Sequence, residues 1–290
     1  MVILVIIAIV GPTGVGKTKL SIELAHAYNA IIINFDATQI YKELNIGSSK
    51  ITCEEKEGII HYLLDVKNPN EDYSVKDYQE DARKIISENK DKNIILVGGT
   101  GLYLSALLMD YHFYDLENNN NYDDYSTAKL YELALVKDKN LDIDSNNRIR
   151  LISFLNRGYE VKEKPKMLYD AYIIGLTTER KKLYENINSR VDNMIKNGLI
   201  DEVKMLHQKY PNSKILSRAI GYKELIEYLD GNTSLYDAIN KIKLNSRHYA
   251  KRQYTWFKNK MNVTLFNVNY NDFNQTIFKI KSYLKEKESK

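Results

Sequence analysis

Gly11-Pro12-Thr13-Gly14-Val15-Gly16-Lys17-Thr18 fits the pattern G-x-x-x-x-G-K-[ST] at every defined position. Such a loop binds phosphate for direct physical reasons. Its glycines let successive backbone N–H groups converge on anionic oxygens, and the helix it opens adds partial positive charge at its N-terminus. Lys17 neutralises the terminal phosphates, and the Thr18 hydroxyl suits Mg²⁺. What remains open at this level is which phosphate compound binds.

Two further positions carry chemistry. Asp36 directly follows the apolar run Ile31-Ile32-Ile33-Asn34-Phe35. A carboxylate there serves either as a turn or cap residue or, at the ligand-facing end of a strand, as a catalytic group. Gly98-Gly99-Thr100-Gly101 ends another apolar run, Ile94–Val97. Its glycines would let backbone approach a ligand closely. Thr100 would either present its hydroxyl to a phosphate oxygen or cap the following helix. A nucleotide hydrolase with this phosphate loop would end a later strand in an Asp that holds the Mg²⁺ shell; no carboxylate stands at this one.

These residues need a scaffold that brings strand ends together. Val2–Val10 is apolar, β-branched and stopped by Gly11-Pro12, which predicts a strand buried on both faces. Lys17–Tyr28 has helical spacing, and Ile31–Phe35 and Ile94–Val97 repeat the buried-strand pattern. Strand and helix in alternation predict an α/β fold, a P-loop NTPase-like parallel sheet flanked by helices. From Tyr111 the character changes: the Asn118–Asn121 tract and an acidic turn precede a helical stretch over Ala128–Val136. The expected organisation is a catalytic core over 1–111, a small, mainly helical inserted subdomain over 112–145, and a mainly helical part over 146–290. That last part returns to the core through a late strand (Val263–Phe266) and a closing helix (Gln275–Leu284).

Charge is distributed along the same division. The 290 residues sum to +4, but residues 1–145 carry −9 and residues 146–290 carry +13. Such asymmetry fits a polyanionic partner or a salt-bridged helical surface. The helix predicted over Leu235–Lys260 concentrates it, with Lys241, Lys243, Arg247, His248, Lys251, Arg252, Lys258 and Lys260 interleaved with Tyr249, Tyr254, Trp256 and Phe257. The pattern suits an RNA backbone, with a solvated basic face as the alternative. One cysteine, Cys53, excludes an internal disulfide, and no Cys/His cluster has zinc spacing. Met1–Val10 is about half a membrane span and lacks signal-peptide features, so no membrane association and a cytoplasmic location are expected. His61 near Asp65 reads as packing rather than a dyad.

Taken together, the motifs resemble those of the tRNA dimethylallyltransferase (tRNA isopentenyltransferase) family over nearly the whole chain. Besides the phosphate loop they include Asp36-Ala37-Thr38-Gln39-Ile40-Tyr41, Ile46-Gly47, His61-Tyr62-Leu63-Leu64-Asp65, Tyr73-Ser74-Val75 and Leu96–Tyr103. Asn146-Asn147-Arg148, Arg190-Val191-Asp192, Ala219–Glu224 and Tyr249–Phe257 follow in the family's order. The resemblance implies transfer of a dimethylallyl group from dimethylallyl diphosphate to N6 of the adenosine 3′-adjacent to the anticodon, with release of diphosphate. It implies Asp36 as the base for the N6 proton, Thr100 on the diphosphate bridge, and Lys17 and Arg218 as diphosphate cations. Thr18 would contact Mg²⁺. It also implies tRNA anticodon stem-loop contacts from Asp36, Ala37, Thr38 and Gln39 and from Asn147, Arg148 and Arg150; the basic helix would add Lys251 and Arg252. The chain departs from the family pattern at Ala37, where Ser is usual, at Gly14-Val15, at Ile51, and in a shorter 112–145 segment. Competing readings are an adenylate isopentenyltransferase acting on free nucleotides, and an RNA-binding P-loop kinase or NTPase. A monomer is the expected state.

Overall fold

The computed structural model describes residues 5–111, 113, 122–156 and 166–289. They fall into two compact units, Met1–Met109 with Met167–Lys290, and Asp110–Lys166.

The first unit is built on one six-stranded, all-parallel sheet. Its strands are β1 (Ile6–Val10), β2 (Ala30–Asn34), β3 (His61–Tyr62), β4 (Asn93–Val97), β5 (Ala171–Thr177) and β6 (Thr264–Asn267), in the order β3-β2-β4-β1-β5-β6. Every β1 and β2 residue is buried, as expected for a parallel sheet covered on both sides. Alternation along β1 sends Ile6, Ala8 and Val10 into one core and Ile7 and Ile9 into the other. Helices α1 (Lys17–Tyr28) and α10 (Phe273–Glu288) contribute Leu20, Leu24, Ile277 and Ile280 to the second core. The first core takes side chains from α2 (Val75–Glu88), α3 (Gly101–Leu108), α6 (Arg180–Lys196), α7 (Leu199–Lys209), α8 (Tyr222–Leu229) and α9 (Leu235–Lys260).

Two elements differ from the sequence expectation. The mainly helical stretch beyond 146 also holds a strand that the sequence pattern did not name: Ala171–Thr177 forms β5, which pairs with β1 and separates it from β6. Tyr172 and Gly175 interrupt its apolar pattern, and Gly175 is required because a Cβ there would overlap Val263 and Leu265 of the neighbouring segment. His61-Tyr62 is too short for periodicity to register, yet it extends the sheet beside β2.

The second unit holds α4 (Thr127–Lys137) and α5 (Arg148–Asn156), packed through Leu130, Ala134 and Leu151. It runs to Lys166, past the boundary expected at 145, because α5 buries its apolar residues on α4. The polyasparagine tract lies outside the described residues.

Candidate active site

The strand order makes neighbours of the three segments singled out above. β4 lies between β1 and β2, so the Gly98–Gly101 turn after β4 sits between the phosphate loop after β1 and Asp36 after β2. Phe35 N–H donates to Val97 O (2.9 Å), Thr100 N–H to Phe35 O (3.2 Å), and Ala37 N–H to Thr100 Oγ1 (3.0 Å). The two strand ends are thereby laced together one residue beyond the sheet.

The glycines of this turn serve that lacing. A Cβ on Gly98 would overlap the Phe35 backbone, one on Gly99 the Gln253 amide, and one on Gly101 the Trp256 indole. The sequence expectation assigned their missing side chains to ligand approach; the structure assigns them to close protein packing. Thr100 stands at the N-cap of α3 without a side-chain capping bond, and its hydroxyl oxygen is engaged by Ala37. It is absent from the cleft lining.

In the phosphate loop, Gly16 adopts φ 90° at the start of α1, a conformation that favours glycine. Lys17 Nζ folds back to donate to Gly11 O (3.0 Å) and Pro12 O (2.9 Å). Gly11, Pro12 and Val15 are buried supports, whereas Thr13, Gly14, Gly16, Lys17 and Thr18 line a cleft of about 550 Å³. Asp36, Thr38, Gln39, Arg218 and Arg252 line it as well. Among the described residues Asp36 is its one carboxylate, against the cations Lys17, Arg190, Arg218, Lys223 and Arg252.

Asp36 combines both roles weighed for it. Its Oδ1 accepts from Thr38 N–H (3.0 Å), a turn-forming bond that fixes the carboxyl plane. Its Oδ2 has no hydrogen bond among the described residues and lies toward Gly99. Asn34 braces the turn by accepting from Asp36 N–H (3.1 Å) and donating to Leu63 O (2.9 Å).

Electrostatics in the cleft favour an anion. Burial pulls Lys17 down to about 8, the positive charge of Arg190 adds to the fall, and Asp36 opposes it. Arg190 is likewise lowered by burial and supported by Asp36. Its guanidinium makes no hydrogen bond or ion pair among the described residues. Burial, then the charge of Asp36, raises Tyr249. His61 Nδ1 bonds Ile59 O (2.9 Å) and burial lowers its pKa; Asp65 pairs with Lys50 (2.6 Å) instead. His61 therefore forms no dyad with Asp65, and it lines the cleft.

Sequence reasoning gave no role in the cleft to Arg190, Gln253 or Glu202, and placed Tyr249 only among the aromatics of the basic helix. Gln253, buried on α9, accepts from Thr13 N–H (3.2 Å) and donates to Gly99 O (3.0 Å). Glu202 accepts from the N–H groups of Asn45 (3.1 Å), Ile46 (2.8 Å) and Gly47 (3.1 Å) and from Tyr222 OH (2.7 Å). It pins the loop onto which Gln39 donates, at Ser48 O and Ser49 O (3.1 and 3.3 Å). Arg190, Tyr249 and Gln253 occur in the motif fragments, but spacing does not reveal where an isolated polar residue on a helix points.

The basic stripe of α9 divides. Lys241 and Lys243 are spent on Glu227 and Asp192 (2.6 Å each), and Arg247 on Asn188 (2.7 Å). Lys251, Lys258 and Lys260 are exposed without ion pairs among the described residues, and Arg252 lies over the Tyr249 ring at 5.6 Å. Phe257 is core, Trp256 packs on Gly101, and Tyr254 is exposed.

In the second unit, the guanidinium of Arg148 is consumed by the carbonyls of Tyr122 (2.6 Å), Asp123 (3.1 Å) and Tyr125. Asn147 Oδ1 accepts from Arg150 N–H (3.2 Å) at the start of α5. Both side chains thus also hold the local structure of this unit, while Arg150 is exposed.

A family model described as IPP transferase matches residues 39–260. The tRNA dimethylallyltransferase of Anoxybacillus flavithermus is 44% identical, covering 91% of this chain and 90% of the relative. That of Streptococcus pyogenes is 41% identical over 98% of each. The solved full-length tRNA isopentenylpyrophosphate transferase of Bacillus halodurans superposes with a TM-score of 0.79 at 40% identity, covering 98% of this chain and 96% of its own. A eukaryotic dimethylallyltransferase solved acting on tRNA also gives 0.79, at 26% identity, covering 90% of this chain and 73% of its own.

Proposed function

The chain belongs to the IPP transferase family, and from that premise we propose that it transfers the dimethylallyl group of dimethylallyl diphosphate to N6 of the adenosine 3′-adjacent to the anticodon in tRNA. The observation that carries this reading is that Asp36, the lone carboxylate among the described residues lining the cleft, shares it with the phosphate loop and five cations. A diphosphate leaving group needs the cations, and an amine nucleophile needs the base.

The exocyclic amine is a weak nucleophile because its lone pair is delocalised into the purine. Asp36 Oδ2 accepts the N6 proton as N6 bonds to C1 of the dimethylallyl group. The C1–O bond breaks, and diphosphate departs with the electron pair. Lys17, Arg190 and Arg218, with the loop N–H groups, stabilise the charge it carries away. Thr100, whose hydroxyl oxygen accepts from Ala37 N–H, braces the turn that carries Asp36.

The residues present fit Mg²⁺ in one specific way. No group of three His, Cys, Asp or Glu among the described residues could hold a metal by itself. The exposed Thr18 hydroxyl beside the loop suits an ion carried mainly by substrate phosphate oxygens. When bound, Mg²⁺ supplies further positive charge to the leaving oxygens.

For the target base to reach Asp36 it must leave its stack and enter the cleft. The Asp36-Ala37-Thr38-Gln39 strip, Lys251, Arg252 and Arg150 serve as the tRNA contacts. Asn147 and Arg148 shape the second unit. Among the described residues no helix is long and apolar enough to cross a membrane. A cytoplasmic location fits a tRNA substrate, and a monomer suffices because one chain supplies every group named.

The test is label transfer from dimethylallyl diphosphate to a tRNA anticodon stem-loop or to AMP. Label in the stem-loop alone is expected. Asp36→Asn should lower transfer by about 10²- to 10⁴-fold while tRNA affinity stays within a fewfold. Label in AMP instead, or normal turnover by Asp36→Asn, would refute the reading.

A further inference from the structure

Gln253 belongs to the basic helix α9, yet its side chain is buried and both ends of its amide are used. Oε1 accepts from Thr13 N–H in the phosphate loop at 3.2 Å, and Nε2 donates to Gly99 O in the turn after β4 at 3.0 Å. The same nitrogen occupies the space that a Gly99 side chain would need, and that space is 3.2 Å from Asp36 Oδ2. One amide therefore touches the loop that grips phosphate and the turn that braces the base.

Two features make this more than packing. Thr13 N–H is one of the loop amides whose convergence builds the anion site, and here it is satisfied by protein rather than left for the ligand. And the two glycine-rich segments, at the ends of adjacent strands β1 and β4, have no hydrogen bond directly between them beyond the sheet among the described residues. Gln253 is the bridge.

We propose that Gln253 is a positioning residue: its amide fixes the phosphate loop at a set distance from the Gly99 turn, and so fixes the leaving group relative to Asp36. The inference rests on the transfer reaction proposed above. Displacement needs the N6 nitrogen, C1 and the leaving oxygen in line, with Asp36 in reach of the N6 proton. An error near 1 Å in that alignment costs on the order of 100-fold in rate. Only Gln, among neutral side chains of this length, offers an acceptor and a donor at once.

Single-turnover transfer at saturating dimethylallyl diphosphate and anticodon stem-loop separates this role from a structural one. Gln253→Met keeps length and volume but loses both bonds. Its rate constant should fall about 10- to 100-fold, with tRNA dissociation constant within about twofold and a melting temperature close to wild type. Gln253→Glu adds a second signature. As a carboxylate it presents two acceptors, one of them against Gly99 O, and stands near Asp36. Protonated, it regains the donor–acceptor pattern of Gln. The charged or titratable groups sharing its part of the cleft are Asp36, Lys17, Tyr249 and Arg252. The ratio of the Gln253→Glu rate to wild type should rise as pH is lowered. Rescue of the ratio in acid supports the proposal. A flat ratio, or a Gln253→Met enzyme with wild-type single-turnover rate, overturns it. So does a melting-temperature loss that by itself accounts for the fall. Absence of transfer by the wild-type protein would instead refute the underlying reaction, so the two failures are distinguishable.

Discussion

Lys17→Met should make the ligand-free protein more tolerant of neutral pH while weakening its grip on diphosphate. Burial and the neighbouring Arg190 lower Lys17 from the ordinary 10.5 to about 8. In the unfolded chain the same lysine keeps its proton up to 10.5. Between pH 8 and 10.5 the unfolded state therefore binds more protons than the folded state, and wild-type stability rises with pH across that window. At about 1.4 kcal/mol per pH unit, charged Lys17 disfavours the folded state by about 3 kcal/mol below pH 8. Met cannot titrate, and every other group is common to both proteins. Urea unfolding of wild type and Lys17→Met from pH 7 to 10.5 should show wild type gaining up to about 3 kcal/mol relative to the variant as pH rises. The absolute offset also contains the bonds to Gly11 O and Pro12 O, so the slope is the diagnostic. Calorimetry supplies the functional counterpart. Inorganic diphosphate restores the Lys17 proton on binding, so wild type should take up close to one more proton than Lys17→Met at about pH 9. A difference in stability that is flat with pH, or equal proton uptake by both proteins, would refute the claim that Lys17 is held in the fold as a strained cation awaiting an anion.

Two further outcomes follow from the same geometry. Affinity for the tRNA stem-loop should fall steeply with salt; Lys251→Ala/Arg252→Ala should reduce the log–log slope by about 1 to 2, whereas Lys241→Ala/Lys243→Ala, whose partners are Glu227 and Asp192, should leave it unchanged when followed by fluorescence anisotropy. Glu202→Gln should cost about 2–4 kcal/mol in urea unfolding, because its NH₂ group would face the amides of Asn45–Gly47 that the carboxylate now accepts from.

Much of the site was legible before any fold was known. The phosphate loop is a local motif: glycine φ freedom, a lysine and a helix start all lie within eight consecutive residues, so spacing alone identifies it. The span of α1, Lys17–Tyr28, and the 26-residue α9, Leu235–Lys260, follow from helical periodicity and capping signals, Ser234 accepting from Asp237 N–H at the start of α9. Asp36 was visible as a candidate because it ends an apolar strand. The charge split was visible too, but its meaning was not, since a lysine reads the same whether it faces solvent or an acid on another helix. Lys243 and Lys251 lie on one helix eight residues apart; Asp192 neutralises the first and nothing among the described residues neutralises the second.

What the sequence by itself determined, then, is the chemistry available: a phosphate cradle, a base, a helical basic face, and the buried strands that carry the first two. What only the tertiary structure decided is adjacency. The order β3-β2-β4-β1-β5-β6 inserts β4 between the strands bearing the loop and the base, and a strand order is not written in any local pattern. That order makes the Gly98–Gly101 glycines a packing device for Phe35, Gln253 and Trp256, and it aims Arg190 into the same cleft as Lys17. The physical reason is range: propensity, periodicity and loop motifs act over a few residues. Gln253, by contrast, reaches a loop amide 240 positions away, and only the packing of α9 against two strand ends brings that contact into being.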